Sequence, residues 1–319
     1  MSDDHRPDEP AAVVGPPFDA PDADIILHPS DGADIRTHKF ILSFVSPVFR
    51  TMLSLPQPSE ETTISSSSTL PIITMEEDGN VLERLLRPCY PGFDMSFDSL
   101  DDIKAVINAA TKYDMQSVLG SLKKWIVNSS LFQINPLAFY AISCRQGWEA
   151  EARLSAAKVV EVVNFERGAS HYVPELEDIS GGTYYRLVTY HAQCGTAART
   201  TIQDLRWFGD SLVSTFNNIC NINSCPKEYD PLSIGTCNFY NLPGWFRTYI
   251  RNVGDELLLR PCASTVAKSN SFNKALLTGA SCPRCKENLF EKLPHIRDMF
   301  AARVAKDVSQ VQLEFIPPT

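Results

Sequence analysis

No stretch of this 319-residue chain approaches the roughly 20 uninterrupted apolar residues that a membrane-crossing helix needs. The opening residues, Met1-Ser2-Asp3-Asp4-His5-Arg6-Pro7-Asp8-Glu9-Pro10, are acidic and proline-rich and lack the apolar core of a signal peptide. An intracellular protein is therefore expected, cytoplasmic or nuclear, with no membrane contact. Basic runs are short, Lys123-Lys124 and little else, and the net charge of −9 disfavours phosphate-driven binding of nucleic acid. Catalytic signatures are missing too: no Gly-x-Ser-x-Gly elbow, no Walker loop, no Gly-x-Gly-x-x-Gly, no His-Glu-x-x-His. The adjacent acids Asp101-Asp102 and Glu60-Glu61 point apart and make poor acid–base partners. Nothing specific speaks for an enzyme, and the chain is read as none.

What is present is a globular composition, 44% hydrophobic and 21% charged, on a chain long enough for two ordinary domains. The nine cysteines are unevenly placed: Cys89, Cys144 and Cys194 are scattered, whereas six fall in the last third. In an intracellular setting such residues are thiols or metal ligands rather than disulfides.

Prolines among acids and alanines predict a disordered tail over residues 1–20. Asp24-Ile25-Ile26-Leu27 reads as a strand, Ser30-Asp31-Gly32 as a turn and Ile35-Arg36-Thr37 as a second strand. His38-Lys39-Phe40-Ile41-Leu42 and Ser46-Pro47-Val48-Phe49-Arg50 then open two short helices. A Ser-rich loop follows, from Pro56 to Ser68, and Leu70-Pro71-Ile72-Ile73 makes a third strand. Asp78 is a cap for a helix with an apolar face of Val81, Leu82, Leu85, Leu86 and Cys89, stopped at Tyr90-Pro91-Gly92. Two more helices bury Ile103, Val106, Ile107 and Ala110, then Val118, Leu119, Leu122, Trp125 and Ile126.

This order of elements, with Asp24 before the strand, the His38-Lys39 pair and Ser46-x-Val48-Phe49-Arg50, resembles a BTB/POZ domain, a protein-interaction module without chemistry of its own. The resemblance implies an α+β fold over residues 21–130, a small sheet flanked by helices. A helical extension over 131–175 and a mainly α-helical region over 176–319 complete the expected organisation. The extension is marked by Leu137, Ala141, Cys144 and Trp148, then by Ala156, Val159, Val160 and Val163. Pro174 to Gly182 reads as a linker-like break before a helix around Leu187, His191 and Cys194. The Cys-containing layout of the last third is similar to the C-terminal arm of large fungal BTB families.

The resemblance also implies homodimerisation, burying apolar surface from Phe40, Ile41, Phe44, Phe49 and Leu53. Asp24 and Lys39 occupy positions where BTB domains place a charged pair near the dimer interface; a local structural ion pair is the alternative. His38 is read as a structural histidine beside them. Met75-Glu76-Glu77 resembles a hydrophobic-x-Glu stretch of members that recruit a cullin scaffold, so Met75 and Glu77 join the expected interaction residues; a solvated acidic turn is the other reading.

Cys220, Cys225, Cys282 and Cys285 form two short knuckles that together supply four soft ligands for a structural zinc, with Cys237 or His295 as substitutes. Buried unliganded thiols are the competing reading. His191 and Cys194, three apart on one helix face, suit a metal or Cys–His chemistry, or simply fill a core. The expected function is a dimeric scaffold or adaptor, including an adaptor for a cullin ubiquitin ligase. The alternatives are a transcription-associated scaffold and a zinc or thiol enzyme. No Cys2His2 spacing or basic stripe supports direct DNA reading.

Overall fold

The structure is a computed structural model that describes residues 14–32, 34–55, 70–165, 171–208, 232–234, 237–240, 243–283 and 285–318. The expected ligands Cys220 and Cys225, the Ser-rich loop and residues 1–13 of the expected tail lie outside the described residues. The chain forms two compact units, divided between Ile134 and Asn135.

The first unit takes in Phe18. Phe18 is fully buried and its carbonyl accepts from the Arg36 N–H at 3.3 Å, so packed structure is already present at residue 18. Strands β1 (Ile25–His28), β2 (Ile35–Thr37) and β3 (Ile72–Thr74) make a sheet in the order β2–β1–β3. β1 runs antiparallel to β2, with Ile25 opposite Thr37, and parallel to β3, with Ile26 opposite Ile72. Alternation puts Ile25, Leu27, Ile35 and Thr37 inside. The β1–β2 turn needs Gly32, whose φ is 89°.

Helices α1 (Lys39–Val45), α2 (Pro47–Ser54), α3 (Gly79–Leu86), α4 (Leu100–Lys112), α5 (Gln116–Asn128) and α6 (Ser130–Ile134) cover the sheet region. Local sequence decides their starts. Asp78 accepts from the Val81 N–H at 2.8 Å and Ser99 from that of Asp102 at 3.1 Å, each satisfying a donor the helix itself leaves open. α3 stops at Leu86, one turn before the face ending at Cys89, because Pro88 has no N–H to continue the ladder; Arg87–Cys89 tightens into a 3₁₀ turn. Leu82, Leu85, Leu86, Ile103, Val106, Ala110 and Leu122 form the buried centre.

Among the described residues, the regular structure of the second unit is helical apart from the hairpin β4 (Leu232–Ile234) and β5 (Cys237–Tyr240). Its helices are α7 (Pro136–Arg145), α8 (Glu149–Val162), α9 (Gly181–Gln203), α10 (Gly244–Leu259), α11 (Ala263–Lys268), α12 (Asn270–Ala280) and α13 (Lys286–Ser309). α7 is buried from Pro136 to Cys144, as a helix apolar on all sides must be.

Two cores share α9. The first joins α7, α8 and the start of α9 through Leu137, Tyr140, Ala156, Val159, Leu187 and Cys194. The second joins the end of α9 to α10, α11, α12 and α13 through Ile202, Phe246, Val253, Leu293 and Phe300. Gly195 lies where α9 and α10 pass close together: a Cβ there would stand 3.0 Å from the Leu258 carbonyl oxygen.

The break expected from Pro174 to Gly182 is no linker. Pro174–Asp178 forms a 3₁₀ turn, Leu176 and Ile179 pack on the first core, and Ser180 caps α9 directly by accepting from the Thr183 N–H. The unit therefore runs through residue 175 without a boundary.

Candidate interaction face

α1 has seven residues and only Leu42 is fully buried among them. Its start is held from outside: the Asp24 carboxylate accepts from the Lys39 N–H at 2.7 Å, putting negative charge on a helix N-terminus. The Asp24–Lys39 contact thus runs through the Lys39 backbone. His38, just before the helix, places Nδ1 3.2 Å from the Tyr90 hydroxyl and Nε2 3.5 Å from Asp22. Tyr90 also meets Thr37 Oγ1 at 2.7 Å, and burial pushes its phenol pKa up, so it stays neutral and anchors the strand-to-helix corner.

With the corner fixed, the spacing of α1 sends Phe40 and Phe44 outward. They are 77% and 75% exposed and stack on each other, ring centroids 6.1 Å apart. Residues four apart share a helix face, and here that face is aromatic and bare. Val48 at the start of α2 is also exposed.

Phe49 is a correction. It is fully buried and stacks on Tyr113 at 4.7 Å, so it belongs to the core and offers no surface to a partner. The reason is the α2 cap: Ser46 Oγ accepts from the Phe49 N–H and donates to the Tyr113 carbonyl, tying the ring's own backbone to the residue it stacks on.

Met75 and Glu77 are also turned inward. Met75 is 4% exposed. Glu77 accepts from Lys112 Nζ at 2.8 Å and from the Tyr113 hydroxyl at 2.6 Å, while Glu76 stays in solvent and accepts from the same Lys112. Burial works to raise the Glu77 carboxyl pKa, but the hydrogen bonds from Lys112 and Tyr113 outweigh it and the net direction is down. A carboxyl depressed by folding contributes stability above its unfolded pKa and loses it as pH falls through the folded one. The first unit should therefore weaken as pH drops below about 4, and Glu77→Gln should flatten that acid limb in a pH series of urea denaturations; an unchanged slope would remove Glu77 from the account.

The cysteine sites divide. Cys282 and Cys285 flank the turn between α12 and α13, Cys285 fully buried and Cys282 packed against the second core. Among the described residues no group of three or more His, Cys, Asp or Glu is arranged to hold a metal. His191 is 6% exposed with its ring edge-on to Phe165 at 5.0 Å, and burial lowers its pKa. Cys194 is fully buried and burial raises its thiol to about 11. Burial thus favours a neutral imidazole and a protonated thiol, the forms least suited to nucleophilic attack. No helix among the described residues is long and apolar enough to cross a membrane.

Sequence reasoning separated Phe40 and Phe44 from the core only in part, naming both with Phe49 as a single apolar surface. The available signal was the four-residue spacing of the first two against a buried Leu42 between them. No curated protein matches the chain. Residues 20–130 match the family model of the BTB/POZ domain. The three-stranded sheet with flanking helices and that family match together make the N-terminal unit a BTB/POZ domain, a protein-interaction module.

Proposed function

We propose that the protein is a homodimeric scaffold, pairing through the α1 face of its BTB/POZ domain and presenting its helical C-terminal unit to other proteins. The observation that carries this is the exposed Phe40–Phe44 stack, a surface that water does not favour and a second copy would cover. Light scattering on the intact 35.5 kDa chain at micromolar concentration should give about twice that mass. A monomer would end the reading.

An adaptor role for a cullin ubiquitin ligase is the finer form of this proposal. It draws on the helices α7 and α8 that follow the domain, since Met75 and Glu77 are engaged internally. Co-purification with a cullin N-terminal domain tests it; failure to bind leaves the transcription-associated scaffold as the alternative. For Cys282 and Cys285, we propose a structural zinc completed by Cys220 and Cys225, supported by the pair's common turn and the burial of Cys285. Metal analysis should find about one zinc per chain, and Cys282→Ser should lower the melting temperature. A stable metal-free protein would make the cysteines ordinary thiols.

A further inference from the structure

Beyond α13 the chain packs as a bound peptide would. Residues 311–318 carry neither helix nor strand, yet their side chains alternate: Val311, Leu313 and Phe315 turn toward the first core, and Gln312 and Glu314 stay exposed. Leu313 is 3% exposed, inside the cluster built by α7, α8 and α9. Its carbonyl accepts from Arg153 Nη1 of α8 at 2.6 Å. The same guanidinium is held by Glu149, which accepts from Nε at 3.0 Å and Nη2 at 2.7 Å, so the donor is already aimed. At the far end Pro318 reaches Gly147, whose φ of 69° turns the chain between α7 and α8; a Cβ on that glycine would stand 3.5 Å from Pro318 Cδ.

These are the elements by which grooves read extended peptides. Apolar pockets take every second side chain, and fixed donors take main-chain carbonyls between them. Among the described residues, the segment is held by one buried side chain, two partly buried ones and a charge-assisted hydrogen bond, with the Val311 N–H bonded back to the Val308 carbonyl. Ordering eight residues opposes them with a large loss of conformational freedom. Covalent attachment offsets that loss by keeping the segment at high local concentration beside its groove.

We propose that the α7–α8 side of the first core is a docking groove for an extended peptide with apolar residues at three alternate positions, and that residues 311–318 occupy it in cis. A partner carrying a Val-x-Leu-x-Phe-like segment with polar residues between would take the same place.

The test uses the full chain with a protease site inserted after Gln310, cut after folding. The probe is a fluorescent synthetic peptide of residues 311–319. It should exchange into the cut protein saturably and bind the uncut protein at least about tenfold more weakly, since there the groove is filled. Leu313→Asp in the peptide should weaken binding by about tenfold or more, as should a scrambled order of the same residues. Arg153→Met in the chain should weaken it as well. A cut protein that stays folded by circular dichroism and takes up no peptide would overturn the proposal. So would a cut protein that unfolds, which would make the segment part of the core, and so would equal binding of the scrambled peptide.

Discussion

The Phe40→Asp, Phe44→Asp double variant should scatter light as a single chain at concentrations where the wild type is a dimer. A two-fold interface brings the same patch from both copies, so four rings leave water together. Each contributes about 1.5–3 kcal/mol when fully covered, and the sum is of the order of the about 8 kcal/mol that a micromolar dimer requires. Removing it should abolish association. Both side chains are more than 70% exposed in the single chain, at 77% and 75%, so urea denaturation of the monomer should shift by no more than about 0.5 kcal/mol. A double variant that remains dimeric would place the interface elsewhere on the molecule.

Phe49→Ala should do the reverse: no selective effect on association, and a loss of about 3–5 kcal/mol in the stability of the N-terminal unit. The ring is fully buried, stacks on Tyr113 and sits beside the Ser46 hydroxyl that caps α2 and holds the Tyr113 carbonyl. Against a total of about 5–15 kcal/mol for a typical domain, that loss leaves the unit marginal. Phe49→Asp adds a buried, unpaired charge and should prevent folding. Urea denaturation reads the alanine variant directly, and a cost under about 1 kcal/mol would show that the cavity collapses or that the ring is not packed as described.

These two variants lie nine positions apart in the chain at most, and their contrast shows where sequence reasoning runs out. α1 and α2 have seven and eight residues, about two turns each, and apolar side chains occur around both. So short a run sets a period poorly, and Phe49 is drawn inside by Tyr113, a residue of a distant helix end. Glu77 is of the same kind: its inward turn depends on Lys112 and Tyr113, which no local pattern announces. Longer elements were legible. The cap at Asp78 follows from its residue type and the buried faces of α4 and α5 from spacing, with Trp125 only partly buried. The alternation of Val311, Leu313 and Phe315 is also visible in the sequence, but without a neighbouring strand, and with Pro317-Pro318 behind it, the segment resembles any loose end.

α9 carries a consequence for how the C-terminal unit comes apart. Its 23 residues form one rod roughly 34 Å long at about 1.5 Å per residue. Leu187, Tyr190 and Cys194 are fastened in one core, Ala198 and Ile202 in the other. Melting either core strips half the partners from the same helix, and a half-supported helix frays toward the remaining half. The unit should therefore gain cooperativity from a shared axle: its two halves are expected to lose order together, with amide protons in the middle of α9 exchanging more slowly than those at its ends.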